Sequence, residues 1–411
     1  MVAVPASDKD EPRRVLDDDG KLLPGARVPT IPDDTLTRIF DVMILTRIID
    51  RRMTRLLQQG RLGFHTTSLG EEASHFVTAP LRATDWVFPS HRDQGAWFWR
   101  GYTIQQYVDQ LFGNQDDPSK GRQMPTHHSA SWLHLVSISS PVGTQIPQAV
   151  GAAHAARVLG KDDVTMALFG EGASSTGEFH VGLNFAGVWK APCVFVCRNN
   201  GWAYSVPSAA QTAGRTFAAK AIGYGMPGIR VDGNDVLAVW QVASDAIERA
   251  RAGDGPTLIE ALTCRDPGHA SAGAPAGQRA RGESGIGEVP GIPSGPLRPH
   301  RDPLHRLRGY LRHRGLWSER SEAELSEQVD QQISDALAAA DRKHAPALET
   351  LFDDVYEQPP WHLREQRAYL VAQPRTENPF DRHDHDPDDD DVDVDDDVEV
   401  QDADPDHVDH D

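Results

Sequence analysis

The strongest constraint on the fold is a set of short apolar runs that alternate with helical stretches in the middle of the chain. Two of the intervening stretches, residues 178–189 and 235–252, repeat apolar residues at helical spacing. Strands that alternate with helices form a parallel sheet that is covered by helices on both faces. We therefore predict an α/β fold with a doubly wound, mostly parallel sheet. The predicted strands are residues 164–169, 191–197, 228–231 and 256–263.

The rest of the chain divides where its composition changes. Residues 1–32 are polar and rich in proline, which predicts an extended N-terminal arm, and helical spacing predicts a helix over 33–59. Residues 60–144 are rich in His, Arg, Trp and Gly, a composition that is typical of loops lining a site. A Gly- and Pro-rich loop then precedes predicted C-terminal helices within 304–342 and 361–369. We predict one α/β domain over 33–375, which includes the C-terminal helical segment.

The charge of the chain is concentrated at its C-terminal end. Residues 381–411 contain sixteen Asp, one Glu and one Arg, so most of the formal net charge of −20 lies there. A block of like charges repels itself and has little to bury, so we predict a disordered acidic tail over 376–411.

The composition also argues against several kinds of partner and location. There is no basic stripe, which argues against nucleic acid, and no window of eighteen apolar residues, which argues against a membrane partner. The three cysteines, Cys193, Cys197 and Cys264, fall in or beside apolar runs, as expected of reduced core thiols. We therefore expect a cytoplasmic protein.

The residues that follow two neighbouring predicted strands indicate a metal and phosphate site. Gly170-Glu171-Gly172 follows the first strand and Asn199-Asn200 follows the second. Ligands bind outside the carboxyl ends of parallel strands, where glycines let backbone N–H groups approach an anion. A carboxylate beside a phosphate requires a bridging cation, and Mg²⁺ is satisfied by carboxylate, amide, phosphate and water oxygens. Neither a P-loop nor a dinucleotide fingerprint fits, because Gly177 is followed by Glu178-Phe179 and Ser175 stands where a third glycine is needed.

These residues resemble a known family. Gly170-Glu171-Gly172, then twenty-six residues, then Asn199-Asn200, is similar to the thiamine-diphosphate motif Gly-Asp-Gly…Asn-Asn. The wider pattern, from residue 15 to about residue 369, resembles the alpha subunit of the decarboxylating component of 2-oxoacid dehydrogenase complexes. The Glu in the metal motif is similar to the branched-chain type. The other matching stretches are Gly70-Glu71-Glu72, Gly121-Arg122-Gln123-Met124-Pro125, Ile138-Ser139-Ser140-Pro141, Thr144-Gln145-Ile146-Pro147-Gln148-Ala149-Val150-Gly151, Asn184-Phe185-Ala186 and Val231-Asp232-Gly233-Asn234-Asp235.

The resemblance implies the thiamine-diphosphate-binding fold and a set of site residues. Thiamine diphosphate and Mg²⁺ are the implied cofactors, and K⁺ is a further one. The residues matched to Mg²⁺ are Glu171, Asn200 and, through its carbonyl, Trp202. Those matched to the thiamine cofactor are His91, Arg92, Ser140, Val142, Gly170, Glu171, Gly172, Ala173, Arg198, Asn200 and His269. At the position of His91 the branched-chain type has a tyrosine. Those matched to a structural K⁺ site are Ser139, Pro141, Thr144 and Gln145.

Two histidines are candidate catalytic residues. His269 matches an active-site histidine, and it follows a predicted strand end and Arg265. An imidazole with a near-neutral pKa in such a position can move protons or polarise an acyl group. His127 lies in the polar-aromatic region, where a solvated or core histidine is as good an interpretation as a functional one.

The resemblance implies decarboxylation of a branched-chain 2-oxo acid and reductive acylation of a lipoyl domain on a separate acyltransferase. It also implies a beta subunit as partner, in an assembly of two alpha and two beta subunits. The loop after His269 departs from the family pattern, because Ala270 and small residues replace its usual Ser, Asp and Tyr-Arg residues. Two alternatives therefore stay open: a pyruvate or acetoin dehydrogenase alpha subunit, and a catalytically degenerate subunit that acts in assembly.

Overall fold

The computed structural model describes residues 11–265, 302–353 and 355–373. Within them the main sheet has five strands, all parallel, in the order β1-β2-β3-β7-β6. This confirms the predicted α/β class and mostly parallel sheet. The strands of this sheet are β1 (Trp86–Phe88), β2 (Thr165–Gly170), β3 (Cys193–Asn199), β6 (Gly228–Asp232) and β7 (Thr257–Leu262). A small antiparallel pair consists of β4 (Trp202–Ala203) and β5 (Val206–Pro207).

The central strands are buried because both faces of the sheet are covered. Every residue of β3 and of β7 is buried, as expected of parallel strands between two helical layers. The register pairs Gly170 with Arg198 and Asn199 with Leu262. The residues that follow β2 and β3 therefore emerge side by side at one edge of the sheet.

Helices pack around this sheet and extend the core on one side. The long helix α1 joins a core cluster that includes residues of α7, α8 and α9, and α4 and α5 contribute to a second cluster. These helices are α1 (Asp33–Gln58), α2 (Gln94–Trp99), α3 (Ile104–Phe112), α4 (Gln145–Val158), α5 (Gly177–Trp189), α6 (Ser208–Gln211), α7 (Val236–Arg251), α8 (Pro303–Arg314) and α9 (Glu319–Asp341). A further helix, α10 (Trp361–Ala372), belongs to a separate C-terminal unit. Short 3₁₀ helices include Glu72–Thr78 and Glu171–Ser175.

The described part of the N-terminal arm is attached to the sheet. Arg13 forms a parallel bridge with Val231 of β6. The backbone N–H groups of Val15 and Leu16 both donate to Asp235 Oδ2, at 2.6 and 2.7 Å. The other oxygen of Asp235 caps α7 by accepting from two backbone N–H groups. One buried carboxylate thus fixes the arm and the start of a helix together.

Contacts divide the chain into two compact units, Met1–Leu351 and Phe352–Asp411. The predicted boundaries at residues 32 and 375 stay predictions, and the acidic tail, His269 and the loop after it lie outside the described residues. Within the described ranges, no helix combines the length and the apolar character that crossing a bilayer requires.

Candidate functional site

The Gly-Glu-Gly motif forms a tight turn at the end of β2. The 3₁₀ turn Glu171–Ser175 follows the strand at once, and the Thr176 side chain then caps α5 by accepting from Phe179 N at 3.3 Å. A Cβ on Gly172 would lie 2.7 Å from the Cβ of Ala203, so a side chain here would collide with β4. The Lys220 ammonium group donates to the Ser174 carbonyl at 3.0 Å and to its hydroxyl at 2.9 Å. The turn is therefore held from two sides.

Glu171 has the properties of a cation ligand. Glu171 is only 2% exposed, and its Oε1 atom has no hydrogen-bond partner within the described part of the chain. Burial raises the pKa of Glu171 to about 7, and the nearby Glu71 carboxylate adds to this increase. A buried carboxylate in this state is stabilised by a divalent cation, so the residue fits the Mg²⁺ that its motif implies.

The two asparagines of the second motif make different contacts. The Asn199 side chain is internal: its amide donates to Glu260 at 2.8 Å, and its oxygen accepts from Gly201 N and Ser208 Oγ at 3.1 Å. Asn200 is half-buried and faces the site. Its amide nitrogen donates to Glu71 Oε1 at 3.1 Å, and its oxygen accepts from Trp202 N at 3.2 Å.

Three arginines lie near the buried Glu71 carboxylate beside these motifs. Burial alone would raise the pKa of Glu71, but the guanidinium groups of Arg198, Arg265 and Arg92 outweigh it and lower the pKa. Removal of its guanidinium from water lowers the pKa of Arg92 to about 9, and Arg265 contributes to this shift. Positive groups concentrated in a poorly hydrated site attract an anion, as a diphosphate site requires.

The two arginines predicted to contact the cofactor, Arg92 and Arg198, are held by hydrogen bonds to nearby loops. Arg198 is buried, forms an ion pair with Asp93 at 2.9 Å and donates to Ser90 Oγ at 2.7 Å and to the Arg92 carbonyl at 2.9 Å. Arg92 in turn donates to the Thr67 carbonyl. These bonds fix both guanidinium groups at the carboxyl edge of the sheet.

His91, His127 and Ser140 meet in a second part of the site. The Nε2 atoms of His91 and His127 lie 3.2 Å apart, and His127 Nε2 lies 3.1 Å from Ser140 Oγ. Burial, with His127 and Arg92 next in order, lowers the pKa of His91 to about 4. Burial also lowers the pKa of His127. Both rings are therefore neutral near pH 7, so they can exchange hydrogen bonds without charge repulsion.

A cavity of about 490 Å³ opens beside these residues. His127, Met124, Ile138 and Ser140 are among the residues that line it. Its wall mixes apolar side chains with hydroxyl and imidazole groups, as is common in sites for small molecules. The structure thus places His127 at a cavity wall.

Comparison with known proteins assigns this chain to a family. The family model described as "Dehydrogenase E1 component" matches residues 40–349. The chain belongs to this family. It is 37% identical over 369 residues to 2-oxoisovalerate dehydrogenase subunit alpha 2, mitochondrial, of Arabidopsis thaliana. The aligned region covers 90% of this chain and 76% of that protein. The chain is 38% identical over 364 residues to the mitochondrial 2-oxoisovalerate dehydrogenase alpha subunits of Mus musculus and Homo sapiens, which covers 88% of this chain and 80% of each.

The comparisons confirm the predicted family resemblance and its branched-chain type. The dehydrogenase E1 family depends on thiamine diphosphate, so that cofactor prediction is confirmed at the level of the family. The individual site residues stay predictions. For them the structure gives positions only: it brings Glu171, Asn200, Arg92 and Arg198 to one edge of the sheet.

The four residues predicted to bind K⁺ lie at and before the start of α4. Thr144 Oγ1 donates to the Pro141 carbonyl at 2.9 Å, and the Gln145 amide donates to the Leu168 carbonyl of β2 at 2.9 Å. Ser139 is half-buried and precedes them. Val142, predicted to contact the cofactor, is 55% exposed. Its side chain is therefore available to a group that the chain itself does not supply.

Sequence reasoning assigned no role to three residues that support the site: Glu71, Lys220 and Glu260. Glu71 belongs to the Gly70-Glu71-Glu72 stretch that carried the resemblance, which was the one available signal. The Glu260 carboxylate holds Asn199, and it accepts from Ala218 N at 2.9 Å, two residues before Lys220. The segment at 218–220 is therefore linked to both halves of the motif.

Proposed function

We propose that this chain is the alpha subunit of a 2-oxo acid dehydrogenase that decarboxylates branched-chain 2-oxo acids and reductively acylates a lipoyl domain. Support for the substrate class comes from the similarity to 2-oxoisovalerate dehydrogenase alpha subunits. The observation that carries the proposal concerns the state of the Glu171 Oε1 atom. It is a buried carboxylate oxygen, unpartnered within the described residues, beside Glu71 and Arg265.

In this proposal Mg²⁺ is held by the Glu171 carboxylate, the Asn200 amide oxygen and the Trp202 carbonyl. Three protein oxygens leave the rest of an octahedron for diphosphate and water, which is the usual arrangement for this ion. Arg92 and Arg198 bind the diphosphate, and the Gly172 backbone lies close to β4 because it has no side chain. When bound, thiamine diphosphate would supply the carbanion chemistry that decarboxylation of a 2-oxo acid requires.

His91, His127 and Ser140 are proposed to face the other end of the cofactor. Ser140 and Val142 lie next to its aminopyrimidine ring, and the two neutral imidazoles orient the Ser140 hydroxyl through the 3.1 Å contact at His127. Ser139, Pro141, Thr144 and Gln145 are proposed to hold K⁺. The support for this ion is that the hydrogen bond from the Thr144 hydroxyl to the Pro141 carbonyl, at 2.9 Å, brings two of the four proposed ligands together.

A beta subunit is the proposed partner, in an assembly of two alpha and two beta subunits, and the lipoyl domain docks on that assembly. The support is an apolar face on α5. Val181, Phe185 and Val188 follow one another at helical spacing and are 52%, 42% and 69% exposed. Apolar faces of this kind mark protein interfaces.

We also propose a cytoplasmic location. The support is that Cys193, Cys197 and Cys264 are all buried and that Cys193 and Cys197 are free thiols, as is usual in a reducing compartment. Fractionation of the source cells tests this point.

The test of the function is co-expression with a beta chain, followed by assay of the purified pair against a panel of 2-oxo acids. We expect activity with branched-chain 2-oxo acids that requires both chains, Mg²⁺ and thiamine diphosphate. A preference for pyruvate would refute the substrate class. A pair that binds the cofactor but turns over no 2-oxo acid would instead establish a degenerate subunit. Full activity of the chain alone with an artificial electron acceptor would contradict the two-chain site.

A further inference from the structure

Glu71 lies between the arginine cluster and the proposed metal ligands. The residue is 1% exposed, and it comes from the segment just before the 3₁₀ helix Glu72–Thr78, about 100 residues before the Gly-Glu-Gly motif. Its Oε1 atom accepts from the Asn200 amide at 3.1 Å and from the Thr263 hydroxyl at 2.8 Å. It therefore joins the ends of β3 and β7 at the edge where the site forms.

The contact with Asn200 has a direction. A side-chain amide has a donor end and an acceptor end, whereas a carboxylate can only accept. With its nitrogen toward Glu71, the Asn200 amide presents its oxygen on the opposite side, where it accepts from Trp202 N at 3.2 Å. The reversed amide would place two oxygens against each other and leave the Trp202 N–H facing a donor. Glu71 and the Trp202 backbone therefore select the same orientation.

This orientation matters because only the oxygen of an asparagine amide binds Mg²⁺. Residues that hydrogen-bond to a metal ligand fix its orientation, and their loss typically weakens metal binding by about 10- to 100-fold. The charge and the acceptor position of Glu71 can be separated by substitution.

We propose that Glu71 is a positioning residue, which turns the Asn200 amide oxygen toward Mg²⁺ through the hydrogen bond to Oε1. This inference rests on the proposed function, because it takes Asn200 as a magnesium ligand. Glu71 does not itself touch the metal. Its role is to remove the second orientation of the amide before the metal binds.

Two conservative variants of Glu71, in the complex with the beta chain, test the role. Glu71→Asp keeps the charge among the arginines but withdraws the carboxylate from Asn200 by one methylene. Glu71→Gln keeps an acceptor at full length but removes the charge. Titration calorimetry with Mg²⁺ at a fixed concentration of thiamine diphosphate measures the metal affinity. We expect Glu71→Asp to weaken Mg²⁺ binding about tenfold and Glu71→Gln to stay within about threefold of the wild type.

Asp109→Asn is the matched control. Asp109 is another buried carboxylate, but its partners are Lys343, Asn114 and Gln105, away from the motifs. This variant should leave the metal affinity unchanged, and unfolding curves of all three variants correct for general destabilisation.

Each other outcome overturns the inference. Equal weakening by the two Glu71 variants would mean that the charge acts and not the hydrogen bond. Metal affinity unchanged in both, or weakened only by Glu71→Gln, would mean that Glu71 does not orient Asn200. A wild-type complex that binds thiamine diphosphate without any need for Mg²⁺ would refute the proposed function instead, so the two failures are distinguishable.

Discussion

The close approach of Gly172 to β4 gives a prediction that the structure makes quantitative. In Gly172→Ala the new Cβ would meet the Ala203 Cβ at 2.7 Å, whereas carbon atoms in contact lie about 3.5–4.0 Å apart. The turn Glu171–Ser175 and β4 must therefore separate by about 1 Å. Gly172 is not among the glycines with a positive φ, so the cost comes from this contact and not from backbone strain. Overpacking of this kind destabilises by about 1–3 kcal/mol.

The same displacement should reach the metal site, because Glu171 precedes Gly172 and Trp202 precedes Ala203. We expect Gly172→Ala to lower the free energy of unfolding by about 2 kcal/mol in urea and to raise the half-saturating concentration of thiamine diphosphate about tenfold. The double variant Gly172→Ala, Ala203→Gly removes the opposing methyl group, and it should restore most of the cofactor affinity.

Gly177→Ala is the matched control for this prediction. Gly177 is the first residue of α5, and nothing lies within 4 Å of a Cβ placed there. Alanine should therefore be neutral or stabilise by about 0.5–1 kcal/mol. A Gly172→Ala protein that is as stable and binds as well as the wild type would refute the reasoning. Failure of Ala203→Gly to rescue it would show that the contact with Ala203 is not the cause.

Two further predictions concern Lys220 and His128. Lys220→Met keeps the apolar stem but removes both hydrogen bonds to Ser174. It should raise the half-saturating concentration of thiamine diphosphate, measured by calorimetry, about tenfold. Lys220→Arg, which keeps a donor, should lie closer to the wild type. Burial, with His65 and His127 next, lowers the pKa of His128 to about 3, so between pH 6.5 and 3 only the unfolded chain takes up this proton and stability falls as pH falls. By pH 5 the loss in the free energy of unfolding is about 2 kcal/mol. His128→Phe keeps the stacking on Tyr107 but cannot take up a proton. Urea unfolding at pH 7.5 and pH 5 should therefore show that the variant loses about 2 kcal/mol less stability than the wild type over this range. Equal losses of stability in the wild type and His128→Phe would refute the prediction for His128. Unchanged cofactor binding in Lys220→Met would refute the prediction for Lys220.

Four of the main-sheet strands were predictable because each is a run of apolar residues with its own local signal. The predicted runs at 164–169 and 191–197 match β2 and β3 to within two residues at each end. The strand β1 was not predicted. It has three residues within a region of polar and aromatic loops, and it is a strand because Trp86 and Val87 pair with Thr165 and Met166. That pairing is a long-range property, and the local sequence does not contain it.

The same distinction applies to the site. Glu171 and Asn200 could be proposed as ligands because each belongs to a short motif at a strand end. Glu71 was missed because its partners, Asn200 and Thr263, are 129 and 192 residues away. Lys220 was missed for the same reason, since its contact with Ser174 spans 46 residues. Local patterns can predict ligands, whereas the residues that orient ligands depend on tertiary contacts.

The most direct test of the metal and diphosphate site is calorimetry of thiamine diphosphate binding to the complex with the beta chain, with and without Mg²⁺, for the wild type and Glu171→Gln. Glutamine keeps the size of the side chain but removes the charge that attracts the cation. We expect tight, Mg²⁺-dependent binding by the wild type and loss of at least about tenfold in affinity by the variant. Equal binding by both proteins, or binding that does not depend on Mg²⁺, would contradict the assignment of Glu171 as the magnesium ligand.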